Sequence, residues 1–162
     1  MASQPTPNGT RTAFFYGTLM APQVLHRVCH GSMSPTNPIY TTSALTTRPA
    51  LLHAHRRHRV RWADYPAILP TTNNDAATVR GTYVTGLTDN DIWRLDIFEG
   101  SEYERRVVRV RVLEVVGDEV MGEGEEVEAE TYVWIAGEER LESGEWDFQE
   151  FKVSTCRLSV GG

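Results

Sequence analysis

The chain has 162 residues, 40% hydrophobic and 23% charged, the size and make-up of one globular domain that buries a core without disulfide or metal staples. No apolar run is long enough to cross a membrane; the opening MASQPTPNGTRTAFF lacks the basic and apolar segments of a secretory signal; and Cys29 and Cys156 match no zinc spacing, so a reduced, cytoplasmic protein is expected. The net charge of −6 argues against a dedicated nucleic-acid binder.

Residues 1–10, with Pro5, Pro7 and Gly9, read as a disordered tail, and residues 11–162 as a single domain. Residues 12–16 read as a short buried strand. Gly17-Thr18-Leu19 breaks it, and Pro22 opens a helix with Val24, Leu25 and Val28 on one face. Residues 31–38 form a loop. Residues 39–70 are strand-like and broken by Pro49 and Pro66, and residues 78–87 alternate as a further strand. Thr88 then caps a helix, Asp91 completes a capping box, and Leu87 and Ile92 occupy the positions of a hydrophobic staple. Ile92, Leu95 and Phe98 share one helical face, and Gly100 ends the helix. Strands at about 103–116 and 125–136 form a hairpin through a Gly/Glu-rich connection, 117–124. Residues 145–153 read as a last helix. This order predicts an α+β fold with a mostly antiparallel or mixed sheet, in which the quick succession of strands suits a small closed or half-closed barrel.

Charge is unevenly spread. Fifteen of the 16 basic residues are Arg, so a phosphate-binding or Schiff-base lysine has Lys152 as its one candidate. Residues 1–98 carry nine Arg against five Asp, net +4, whereas residues 99–162 carry seven basic against seventeen acidic residues, net −10.

Two segments carry chemistry. Tyr16-Gly17-Thr18-Leu19 lies where a strand turns towards a helix, an arrangement that exposes successive backbone N–H groups to an anion; its plainer reading is an ordinary strand-to-helix turn. Glu99 ends an apolar helix face between Phe98 and Gly100. A carboxyl against apolar walls has its pKa raised and suits a general acid or base. A solvated Glu at a helix C-terminus is the plainer reading, although the helix dipole disfavours it there.

In order, Tyr16-Gly17-Thr18-Leu19, Tyr65-Pro66-Ala67-Ile68, Gly81-Thr82-Tyr83-Val84, Leu95-Asp96-Ile97-Phe98-Glu99-Gly100, then Tyr103, Arg105, Val107 and Val108 resemble the γ-glutamylcyclotransferase-like superfamily. The resemblance is greatest to its plant avirulence-induced-gene branch and to the γ-glutamylamine cyclotransferases. It implies a small mixed β-barrel with flanking helices. It implies an enzyme that cyclises a γ-glutamyl group to 5-oxoproline and releases an amine, without cofactor or metal. The backbone of Tyr16, Gly17, Thr18 and Leu19 would hold the γ-glutamyl group, Glu99 would be the acid/base, and Tyr103 would line the pocket. The partner implied is a small γ-glutamyl compound, with neither nucleic acid nor membrane. A non-catalytic binding module on the same fold is the alternative, and a weak nucleic-acid contact through residues 53–62 comes third.

Arg105 has two readings: it orients a substrate carboxylate, or it joins a cross-strand ladder. Arg105, Arg109 and Arg111 share one strand face by parity, as do Glu126, Glu128 and Glu130; the ladder is favoured for Arg109 and Arg111. The run His53-Ala54-His55-Arg56-Arg57-His58-Arg59-Val60-Arg61-Trp62 invites a metal reading, with His53 and His55 on one face, but its arginines oppose a cation. A solvated basic face, a partner for the acidic half or a basic rim for an anionic substrate are its other readings. Cys29 and His30 point about 100° apart on a helix and do not form a nucleophile–base pair; Cys29 reads as core.

Overall fold

A computed structural model describes residues 11–30, 45–63, 65–71 and 76–142. The expected N-terminal tail, the 31–38 loop and the 145–153 helix lie outside the described residues. The first strand, β1 (Arg11–Phe15), ends in a short 3-10 turn (Thr18–Met20) and helix α1 (Pro22–His30). Strands β2 (Thr46–His53), β3 (His55–Arg59), β4 (Pro66–Pro70) and β5 (Thr78–Leu87) follow. Helix α2 (Asp89–Glu99) then leads into the ribbon of β6 (Tyr103–Val116) and β7 (Glu119–Trp134).

Five strands close into a barrel in the order β1-β5-β2-β6-β7, and β3 and β4 form a separate two-stranded sheet. The barrel is mixed: β1 runs parallel to β7, and every other pair is antiparallel. The closing seam has only Ala13 opposite Glu130, so side chains supply what the backbone does not. Thr131 Oγ1 donates to Phe14 O at 2.9 Å, and Thr12 Oγ1 to Glu128 O at 2.9 Å. Arg11 adds ion pairs to Glu130 at 2.6 Å and to Asp89 of α2 at 2.7 Å.

Alternation along β1 sorts its residues between two apolar layers, as a two-residue period requires. Phe14 enters the barrel core with Leu52, Ile68, Val79 and Val110. Ala13 and Phe15 face the layer under the helices, with Leu25, Cys29, Leu87, Ile92 and Leu95. Helix α2 begins as its sequence predicts: Asp91 N donates to Thr88 Oγ1 at 3.0 Å, and Thr88 N to Asp91 Oδ2 at 2.9 Å. Leu87 and Ile92 both enter the layer beneath. Gly100 stops the helix at φ +81°, its N–H bonding Asp96 O. Of the three residues on that helical face, Ile92 and Leu95 are buried and Phe98, in the last turn, is 49% exposed.

Three expectations are corrected. Pro49 does not break β2; the strand meets β6 only at Ala50 and Leu51, so Pro49 lies where a missing N–H costs no ladder bond on that side. His53 and His55 do not share a strand face. Ala54, at φ +60°, ends β2 and sends the chain into the second sheet; His53 Nε2 meets Glu123 Oε1 at 2.6 Å, and His55 Nδ1 meets His53 O at 3.0 Å. Nor is 117–124 a connection: β7 begins at Glu119, and the turn is Gly117-Asp118, with Gly117 at φ +64° as a II′ hairpin turn requires. Register shifts after Arg111 and Glu114 place extra β7 residues opposite β6. Gly122 and Gly124 therefore sit at bulges rather than in a loop. Among the described residues no helix is long and apolar enough to cross a membrane.

Gly81, where β5 passes β1, admits no side chain: a Cβ there would overlap Phe15 O and come within 2.6 Å of Phe14 Cζ. Gly81→Ala should destabilise the protein by about 1–3 kcal/mol, as overpacking of a barrel core does, read as a lower urea midpoint. A midpoint equal to the parent's would show that the β1–β5 seam is looser than this contact requires.

Candidate active site

A cavity of about 340 Å³ opens beside the end of β1, within the range of small-molecule sites. The turn after β1, the end of α2, β4 and the ribbon all contribute to its wall. Its lining includes Tyr16, Gly17, Thr18, Leu19, Glu99 and Tyr103, together with Phe15, Tyr65, Pro66, Phe98, Glu102 and Tyr132. The sequence motifs around residues 16–19, 65–66 and 98–103, distant along the chain, thus share one wall.

The turn is fixed from three sides. Tyr16 is buried and its hydroxyl donates to Tyr132 O at 2.5 Å. Gly17 lies against Pro66, and a Cβ at Gly17 would stand 2.9 Å from Pro66 Cγ; the glycine is needed for this approach. Arg57, from β3, donates to Tyr16 O at 3.0 Å and Arg80 O at 3.2 Å. Met20 N and Ala21 N bond Gly17 O and Thr18 O. A helical turn leaves its first N–H groups without internal partners, and here those of Thr18 and Leu19 find no acceptor among the described residues. Both residues line the cavity.

Glu99 is the last residue of α2 and is half-buried. It has no hydrogen-bond or ion-pair partner among the described residues. Burial alone pushes its carboxyl up to about 7, so near neutral pH it can both accept and release a proton. Tyr103 stands beside it, its hydroxyl donating to Pro66 O at 2.7 Å and its ring meeting Trp134 edge-on at 5.3 Å. Burial and then the charge of Glu99 raise the Tyr103 phenol.

Arg105 does not line the cavity. It pairs with Asp96 and, at 3.6 Å, with Glu130. Arg109 and Arg111 lie opposite Glu128 and Glu126 and pair with Glu126 at 3.6 and 3.7 Å. The ladder reading therefore describes Arg109 and Arg111, whereas Arg105 is held chiefly by Asp96 of α2 and reaches the ladder only at Glu130. Cys29 is buried in the core and burial pushes its thiol up, the opposite of an activated nucleophile.

Four lining or supporting residues carry no site signal of their own in the sequence. Arg57 lies in a basic run that reads as solvated. Tyr132 sits in an ordinary strand pattern, and its support by Asp96 spans 36 residues. Pro66 and Tyr65 are visible only as part of the Tyr-Pro-Ala-Ile segment.

Residues 13–148 match the model of the family described as gamma-glutamyl cyclotransferase, AIG2-like. Protein AIG2 C of Arabidopsis thaliana is 31% identical over 144 residues, which cover 89% of this chain and 73% of that protein. AIG2-like protein B of Arabidopsis thaliana is 30% identical over 152 residues, covering 94% and 74%. A solution structure of an Arabidopsis thaliana protein superposes with a TM-score of 0.66 at 28% identity, over 99% of this chain and 82% of that one. A gamma-glutamyl cyclotransferase of known structure gives a TM-score of 0.54 at 14% identity, over 82% of this chain and 69% of that one; this likeness is one of fold.

The raised carboxyl has a stability consequence whose sign is fixed. The folded state holds the Glu99 proton up to about pH 7, whereas the unfolded chain releases it near the ordinary value of 4.5. Stability is therefore lost as pH rises between the two values, by at most about 3 kcal/mol and less where solvent screens the open side. Glu99→Gln should raise Tm by a few degrees at pH 8 and leave it unchanged at pH 4. A shift that is the same at both pH values would mean that the carboxyl is not desolvated.

Proposed function

Because the chain belongs to the gamma-glutamyl cyclotransferase, AIG2-like family, we propose that it cyclises a γ-glutamyl compound to 5-oxoproline and releases an amine. The observation that carries this reading is Glu99: a carboxyl with no partner among the described residues, raised to about 7, in a cavity that also holds the turn 16–19.

The reaction explains why so little machinery suffices. The nucleophile is the substrate's own α-amine, tethered to the γ-carbonyl it attacks, so no enzyme nucleophile is needed. Ionised Glu99 takes a proton from the α-ammonium. The freed amine attacks the γ-carbonyl carbon, and the carbonyl oxygen gains negative charge. The bond to the leaving nitrogen then breaks as that nitrogen receives the proton from Glu99. The ring nitrogen gives up its second proton through the Glu99 carboxylate to the departing amine, so a neutral lactam and an ammonium result and Glu99 is again ionised. The N–H groups of Thr18 and Leu19 offer the donors that developing oxyanion charge or the substrate carboxylate requires.

The setting that goes with this reading is a reducing, cytoplasmic one. The site takes a small molecule.

Incubation with γ-glutamyl amino acids, γ-glutamyl-ε-lysine, simple γ-glutamyl amines and glutathione, read by mass spectrometry of 5-oxoproline, tests the proposal. The parent should release 5-oxoproline from at least one compound, and Glu99→Gln should do so about 10²–10⁴-fold more slowly, the range of general acid–base catalysis. Binding of the compounds or of 5-oxoproline without turnover would instead identify a binding module. A fully active Glu99→Gln variant would remove Glu99 from the chemistry.

A further inference from the structure

Tyr132 lines the cavity from β7, and its hydroxyl donates to Asp96 Oδ1 at 2.7 Å. The other Asp96 oxygen is bonded by Arg105, so Asp96 meets Tyr132 as an ion-paired carboxylate that only accepts. A phenol has one proton, and here it is committed away from the cavity. What Tyr132 can turn to a ligand is oxygen lone pairs. Burial, then the hydrogen bond to Asp96, keep this phenol protonated.

The arrangement also couples Tyr132 to the helix that carries Glu99, and both residues line the same cavity. Asp96 and Glu99 are three residues apart on α2 and so lie on neighbouring turns of one helical face. The group that holds Tyr132 and the carboxyl that moves the proton therefore belong to one rigid element. Arg105, paired also with Glu130 at 3.6 Å, ties that element to the ribbon.

On the reading given above, we infer that Tyr132 is a substrate-binding residue that accepts a hydrogen bond from the α-ammonium of the γ-glutamyl group, and that Asp96 is the positioning residue that turns its hydroxyl to do so. An ammonium has three N–H groups and no acceptor. Glu99 takes one of its protons, and Tyr132 holds a second, which leaves the nitrogen facing the γ-carbonyl once it is deprotonated. Arg105, for which contact with a substrate carboxylate is one of two sequence readings, acts two hydrogen bonds further out by holding Asp96.

The test uses the full chain, a γ-glutamyl amide that the parent turns over, and the glutaric acid monoamide of the same amine, which keeps the carboxylate and the amide but lacks the ammonium. Tyr132→Phe should raise KM for the first compound about tenfold or more, since a hydrogen bond to a charged group is lost, with kcat changed less. The inhibition constant of the monoamide should stay within about twofold of the parent's. Asp96→Asn should raise KM several-fold, and should add nothing when Tyr132 is already Phe. Equal weakening of both compounds, or additive effects in the double variant, would overturn the assignment. If Asp96→Asn fails to fold, the comparison of the two compounds in Tyr132→Phe decides alone. A parent that neither turns over nor binds any γ-glutamyl compound overturns the proposed function and this assignment with it; an active parent with an unaltered Tyr132→Phe overturns this assignment only.

Discussion

The contact between Pro66 and Gly17 is the one on which the cavity depends. The turn after β1 has no regular partner of its own, and its open N–H groups need a wall that keeps them in place. The β3–β4 hairpin provides that wall. Pro66 lies on Gly17, its carbonyl takes the Tyr103 hydroxyl, and Arg57 of the facing strand grips Tyr16 O. Ile68, two residues further on, is fully buried in the barrel core. The hairpin is thus a clamp with one end in the core and the other on the turn, and this accounts for a second sheet in so small a fold.

Glu99 shows the opposite economy. Nothing in the fold requires a carboxyl at the end of α2. Helix dipole and burial both act against its charge there, and the helix is already secured at its start by Thr88, Asp91 and the apolar pair Leu87 and Ile92. A carboxyl held at a cost to stability, with its proton poised near neutrality, is what the proposed reaction asks of Glu99. The phenols around it have the reverse character: Tyr16, Tyr103 and Tyr132 each have their proton bound to a protein acceptor, so they stiffen the cavity while remaining neutral.

What could be read from the sequence was local. The capping box, the glycine stop and the alternation of residues 78–87 are written within a few consecutive residues, and each is found in place. The turn 16–19 and Glu99 also stand at the ends of elements and both line the cavity, but local pattern alone leaves each with a plainer reading, and it is the family resemblance that sets them apart. The residues that complete the site are not local. Arg57 acts across 41 positions and Tyr132 across 36, and neither distance leaves a periodicity. The glycines at 122 and 124 misled because a bulge and a loop call for the same residue.

The seam between β1 and β7 gives the site a history as well as a position. Thr131 reaches Phe14 across 117 residues, and so long a loop is costly in entropy to close and slow to find its partner. The ladders β1–β5, β2–β5 and β6–β7 pair without it; if they form first, the first and last strands meet last. The turn 16–19 hangs from one side of this seam, and Tyr132 stands on the other. A partly folded chain with most of its sheet in place would therefore have no cavity. Barrel closure and competence to bind would arrive in the same step, so that incompletely folded molecules would be silent rather than weakly active.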